Sequence, residues 1–225
     1  MSNTHQPPLA PNSVYHIFTH AVENNNLFAN NGNYDYFLRH WQKHTEGYIS
    51  TYAFCLMPNH LHFSIKTATE NQVKELDRER RKDSLEAKPG DSVLNKNIFS
   101  NCVKNCLNGY TQAFNRQQNR KGALFRSRFG RIPVDNRQYF RDSICYLHHN
   151  PIHHFGLEHF HDWGFSSYNI FVQPHQYPET YGLNFQTVMS VFGGQQGFLD
   201  YHKEYRLTKR FWMMEKVVQD SLKRW

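Results

Sequence analysis

Apolar and polar positions alternate or cluster in distinct ways along the chain. Residues 13–20 (Ser-Val-Tyr-His-Ile-Phe-Thr-His) are β-branched and aromatic with no breaker, which predicts a first strand. Asparagine-rich stretches either side of Leu27 and Phe28 predict loops. Tyr34, Phe37, Leu38 and Trp41 then fall at helical spacing, predicting a helix over 34–46 that Gly47 ends. Two strands are predicted at 48–56 and 60–66. Pro58 lies between them, where a ladder donor would be missing and the chain has to turn or bulge. Phe99, Val103, Leu107, Tyr110 and Phe114 predict an amphipathic helix over 96–118. A strand is predicted at 124–134. Asp135 is the expected N-cap of a helix over 136–149, with Phe140, Ile144 and Leu147 as its buried stripe and Pro151 as its stop. Two further helical segments are predicted towards the C-terminus.

This order, with no internal repeat, suits an α+β architecture: one antiparallel sheet with helices packed mainly on one face. The organisation expected is a flexible segment at 1–12, a domain over 13–170 and a helical extension over 171–225. Within the domain, the charge run Arg78-Glu79-Arg80-Arg81-Lys82-Asp83 and the turn at 88–91 mark residues 67–95 as an exposed, partly helical insertion.

Composition narrows the function. The 225 residues carry 26 Lys and Arg against 19 Asp and Glu, a net charge of +7. Mean hydropathy is −0.77, and no run approaches the roughly 20 apolar residues of a membrane span. The polar, proline-containing N-terminus has no secretory pattern, so the four cysteines are expected as reduced thiols in a cytosolic protein. Aromatics reach 16 % and histidines number 15. A basic chain rich in rings suits nucleic acid, because cations neutralise phosphates and rings stack on unpaired bases. Core packing and solubility account for the same numbers.

The most informative stretch is Met57-Pro58-Asn59-His60-Leu61-His62-Phe63. Residues i and i+2 of a strand face one side, so His60 and His62 project together as a natural pair of ligands for a divalent metal. A bare His-x-His is otherwise two histidines on a half-buried strand. On the following helix, Tyr146 and Asn150 share a face four residues apart. A tyrosine hydroxyl can attack a phosphodiester, and an amide oxygen can complete a metal's protein ligands. Taken alone, Tyr146 also reads as a core residue and Asn150-Pro151 as a helix stop.

Three ordered motifs carry a resemblance: Tyr52-Ala53-Phe54-Cys55-Leu56-Met57-Pro58-Asn59-His60-Leu61-His62, Leu124-Phe125-Arg126-Ser127-Arg128-Phe129 and Tyr146-Leu147-His148-His149-Asn150-Pro151. With the Phe-Ser-Ser-Tyr of residues 165–168, the chain over about 13–170 resembles the single-tyrosine HUH transposases, most of all the REP-associated tyrosine transposases. The resemblance implies a ferredoxin-like HUH fold. It implies Tyr146 as nucleophile and His60, His62 and Asn150 as ligands of Mg²⁺ or Mn²⁺. The implied activity is cleavage and rejoining of single-stranded DNA beside a folded hairpin, through a 5′-phosphotyrosine that conserves the bond energy and a free 3′-hydroxyl. It further implies a cytoplasmic, nucleoid-associated bacterial protein, either a monomer or a homodimer. His20 stands near the end of the first strand, where many relatives carry Arg.

Lys121, Arg126, Arg128 and Arg131 are the expected DNA contacts, since alternating arginines beside a nucleophile suit phosphates; the alternative is an edge strand protected by charge. Cys102 and Cys106 read as core rather than zinc ligands. The histidines at 148, 149, 153, 154, 159 and 161 lack a metal spacing and are expected near DNA or solvent, with His148 or His149 able to tune the proton of Tyr146. The basic, amphipathic segment 203–225 is expected to pack as a plain helix, the alternatives being to cover the site or to grip a hairpin stem. The rival function is a DNA-binding protein of the same fold that no longer cuts. A zinc hydrolase is a third reading, disfavoured because the His60–His62 motif holds no carboxylate.

Overall fold

The computed structural model describes residues 7–23, 25–83, 97–126, 129–177, 181–206 and 210–223. Its sheet forms where the sequence is densest in β-branched and aromatic residues. β1 (Val14–His20) pairs antiparallel with β3 (His60–Thr67), which pairs antiparallel with β2 (Ile49–Leu56). β4 (Gly130–Pro133) adds to the free edge of β1, giving the order β2-β3-β1-β4. Strand periodicity then divides the side chains. Ile17 faces Phe63 across the β1–β3 pair, while Phe18 faces His62 and His20 faces His60 on the opposite side of the sheet.

The Ile17–Phe63 face is covered by α1 (Asn31–Thr45) and α3 (Ile98–Gln117). Asn30 caps α1 by accepting from the Asn33 N–H, and Trp41 stacks on Phe63 at 4.1 Å between ring centroids. Tyr110 of α3 meets Phe37 edge-on and donates to the Leu27 carbonyl. These are the helices and the apolar stripes expected from the sequence.

The α+β class and the antiparallel sheet are likewise as expected, but a second helical layer lies on the other face. His16, Phe18 and His62 are fully buried there, so that face needs a cover. α4 (Arg137–Phe155) supplies it, and three of the C-terminal helices pack on α4: α6 (Phe185–Phe192), α7 (Gln195–Arg206) and α8 (Arg210–Leu222). A short α5 (Tyr168–Val172) precedes them, so the C-terminal part holds more than the two helical segments expected. In the span expected as an insertion, β3 runs on to Thr67 and α2 (Glu70–Asp83) follows. Residues 84–96 lie outside the described ones. Of the segment expected to be flexible, residues 7–12 lie against the body: Leu9 is buried and Arg131 donates to the Pro7 carbonyl.

Three local readings are corrected. Of the strand expected at 124–134, the described residues form only β4; before it, residues 124–126 track the end of β1 through an isolated bridge from Ala21 to Phe125 and the bond from Arg126 N to His20 O. Gly130 starts the ladder because a side chain there would meet the Phe18 ring at 2.3 Å. Asn136, not Asp135, caps α4, accepting from the Tyr139 N–H. Finally, α4 runs through Pro151 to Phe155 and ends at Gly156, in the left-handed conformation at φ 65°. A proline inside a helix removes one backbone bond and costs roughly 3 kcal/mol. Burial of Pro151 and Ile152 against the rest of the protein offsets that cost.

Candidate active site

Four side chains from two elements converge on the covered face. His60 and His62 project from β3 towards α4, and α4 returns Tyr146 and Asn150 on facing turns. Because the helix does not stop at Pro151, the four-residue spacing of Tyr146 and Asn150 is preserved, with Asn150 Nδ2 donating to the Tyr146 carbonyl at 2.7 Å. The Tyr146 ring meets His62 edge-on at 5.7 Å and His16 at 5.6 Å, and the His60 and His62 rings are 5.1 Å apart.

The two imidazoles are held the same way. His60 Nδ1 is 2.8 Å from Asn59 Oδ1, and His62 Nδ1 is 2.9 Å from His16 Nε2. In each case Nδ1 is the nitrogen engaged by the backing residue, which turns Nε2 to the site as in metal-binding histidines, and Asn150 lies beside His60 there. Burial pushes both rings far below the usual histidine range, so they are neutral, the form that ligates. Asn150 is fully buried and its Oδ1 has no hydrogen-bond partner. A buried amide oxygen without a partner is costly unless something fills the position. Among the described residues no three His, Cys, Asp or Glu side chains group to hold a metal, so a cation between His60 and His62 would need Asn150 Oδ1 as its third protein ligand. A divalent cation with water and phosphate oxygens in its remaining positions fits this set.

Sequence reasoning missed two participants. His16 backs His62 from β1, and its pairing became visible only with the strand register. Glu215 of α8 accepts the Tyr146 hydroxyl at Oε2, 2.6 Å away, and its Oε1 accepts from Gln219 at 2.9 Å. Burial first, and the Glu215 carboxylate second, hold the Tyr146 phenol well above its usual range. The C-terminal helix therefore covers the site: Phe211 packs 5.3 Å from the Tyr146 ring and also touches His149 and His153. At the rim, His20 stacks on His60 at 4.9 Å, and burial, with Arg126 nearby, lowers it to about 4. His154 sits 5.0 Å from His60 on the same side and is exposed.

The other expected site residues are more scattered. Lys121 and Arg126 are exposed, and Arg126 lies beside His20. Arg131 is partly buried; it donates to the Pro7 carbonyl and to Ser100 and lies over the Phe129 ring, so it also ties the N-terminal segment to the body. Arg126 and Arg131 line one cleft of about 550 Å³ with Lys104, Asn108 and Phe129. Arg128 lies outside the described residues. Of the histidines expected near DNA or solvent, His148 and His149 are buried instead. His148 bonds His202 of α7 on one side and Ser167 on the other, both at 2.8 Å. His159 and His161 do stack at the surface. None of the four cysteines forms a disulfide, and Cys106 lies in the core.

No protein-family model matches the chain, and no curated protein does. Among solved structures, a REP-associated tyrosine transposase bound to a REP hairpin shares the fold, with a TM-score of 0.54 and 18 % identity over 79 % of this chain and 89 % of that one. The fold implied by the sequence resemblance is thus the fold found. No described helix is long and apolar enough to cross a membrane.

Proposed function

We propose that this protein is a metal-dependent transposase-type enzyme that cuts and rejoins single-stranded DNA beside a hairpin through a covalent link to Tyr146. The observation that carries this reading is the convergence of a tyrosine hydroxyl, two neutral histidines and an unpartnered buried amide oxygen on one face of an HUH-like sheet. His60, His62 and Asn150 would hold Mg²⁺ or Mn²⁺, which when bound supplies Lewis-acid stabilisation to the scissile phosphate. Tyr146 attacks the phosphorus, the 3′-oxygen leaves, and the strand is retained as a 5′-phosphotyrosine. Attack by a 3′-hydroxyl reverses the step and joins strands. Asn59 and His16 keep the two imidazoles in one orientation throughout. Arg126 and Lys121, exposed on the approach, contact phosphates of the incoming strand. The fold shared with a transposase captured on a REP hairpin supports a hairpin-bearing strand as partner.

The test is incubation with end-labelled single strands from the DNA flanking the gene, with and without Mg²⁺ or Mn²⁺. A metal-dependent, detergent-stable protein–DNA adduct is expected, with a free 3′-hydroxyl product. Hairpin binding without any adduct would leave the non-cutting DNA-binding protein in its place.

A further inference from the structure

We infer that Glu215 is the general base for Tyr146, an inference resting on the proposed role of Tyr146 as nucleophile. A general base has to lie within about 2.6–3.2 Å of the group whose proton it takes. Glu215 Oε2 lies 2.6 Å from the Tyr146 hydroxyl, and among the described residues no other carboxylate bonds it. An activated nucleophile is recognised by a base within reach and a third group that orients the base. Gln219, one turn along α8, is that third group: its Nε2 donates to Glu215 Oε1 at 2.9 Å and leaves Oε2 directed at the phenol. α8 is anchored for the purpose, with Phe211, Met214 and Val218 buried on the side facing the body. Glu215 itself is partly exposed, so it can release an accepted proton to water.

The chemistry favours this arrangement over a free phenolate. The target is an anionic phosphodiester, and a phenolate formed in advance would be repelled by it. In a site this buried it would also be costly to form. A neutral phenol that hands over its proton as it attacks avoids both costs. In the cleavage step the Tyr146 oxygen–phosphorus bond forms and the phosphorus–3′-oxygen bond breaks. The phenol proton passes to the Glu215 carboxylate, and the departing 3′-oxygen takes a proton from water. In joining, the attacking 3′-hydroxyl forms the phosphorus–oxygen bond and gives its proton to water, while protonated Glu215 returns its proton to the departing Tyr146 oxygen.

The experiment uses full-length protein and the oligonucleotide assay above, with Mn²⁺. Glu215→Gln keeps the side chain's shape, so hairpin binding should be unchanged while the rate of adduct formation falls about 100-fold or more. Glu215→Ala should be equally slow, and its rate should rise with added formate, a small carboxylate able to occupy the vacated position. A Gln variant as fast as wild type, a variant faster than wild type, or an Ala variant that formate leaves unchanged would overturn the inference. A faster variant would mean that the carboxylate holds the hydroxyl back rather than activating it. These outcomes are distinct from failure of the Tyr146 reading, in which wild type itself forms no adduct.

Discussion

His60 and His62 are two residues apart on a strand, and that spacing alone already placed both rings on one side. What the spacing could not show is how each ring is held. Asn59, adjacent in sequence, fixes His60, and His16, from a different strand, fixes His62. If the Nε2 atoms and Asn150 Oδ1 hold the cation, replacing both histidines by alanine should abolish Mn²⁺ binding in calorimetry. The helical and strand signals in circular dichroism should persist, because the rest of the sheet face stays packed. Unchanged Mn²⁺ affinity would remove the metal from this site. Glu215 was not legible at this scale. It is one of three acidic residues in a basic amphipathic segment, and only the docking of α8 across α4 brings it to Tyr146, 69 positions earlier.

At the level of elements, a buried polar chain joins β2, the Phe-Ser-Ser-Tyr stretch, α4 and α7. The Phe54 N–H donates to Ser167 Oγ, Ser167 meets His148 Nε2, His148 Nδ1 meets His202 Nε2, and His202 Nδ1 bonds the Phe198 carbonyl. Burial keeps both imidazoles neutral and lowers His202 to about 3. With His202 Nδ1 donating to its carbonyl, its Nε2 accepts from His148, and His148 Nε2 competes with the Phe54 carbonyl for the Ser167 hydroxyl proton. The unfolded chain binds protons near 6.5, so from pH 6.5 down to about 3 it holds more than the native protein. Stability should fall as pH falls through that window, by up to ~1.4 kcal/mol per pH unit per histidine. Urea unfolding at several pH values checks this, and His202→Gln should flatten the slope; equal slopes would show that the ring titrates normally. The basic approach is the second element with a testable role. Arg126→Ala should weaken single-strand binding and reduce the slope of log affinity against log salt by about one, without lowering the melting temperature. An unaltered slope would place Arg126 away from phosphates. Element positions were largely legible, since apolar periodicity marked β1–β3, α1 and α3. The errors came where tertiary burial outweighs a local rule, as at Pro151, or where an edge segment follows its neighbour without a regular ladder, as at 124–126.

For the whole molecule, the consequential fact is that Tyr146 reaches the histidines of its own chain. A site complete in one chain needs no exchange of helices between copies. Mixing Tyr146→Phe protein with the His60→Ala, His62→Ala variant should therefore give no adduct, each being inactive alone. Restored adduct would mean that one copy lends its tyrosine to the other. Periodicity marked α4 but not its place on the second face of the sheet, because α4 is buried on more than one side, and this second helical layer is what closes the site. After the Phe-Ser-Ser-Tyr stretch, α6, α7 and α8 pack on α4 and α6 also on β2, and that packing was not contained in any short motif.

The central claim is that Tyr146 is the atom-level link between protein and DNA. Tandem mass spectrometry of the nuclease-trimmed, protease-digested adduct locates that link directly. A nucleotide 5′-phosphate on Tyr146, absent from Tyr146→Phe protein that still binds the hairpin, is the predicted result. A nucleotide on Tyr139 or Tyr168, or an adduct that survives in the Phe variant, would contradict it.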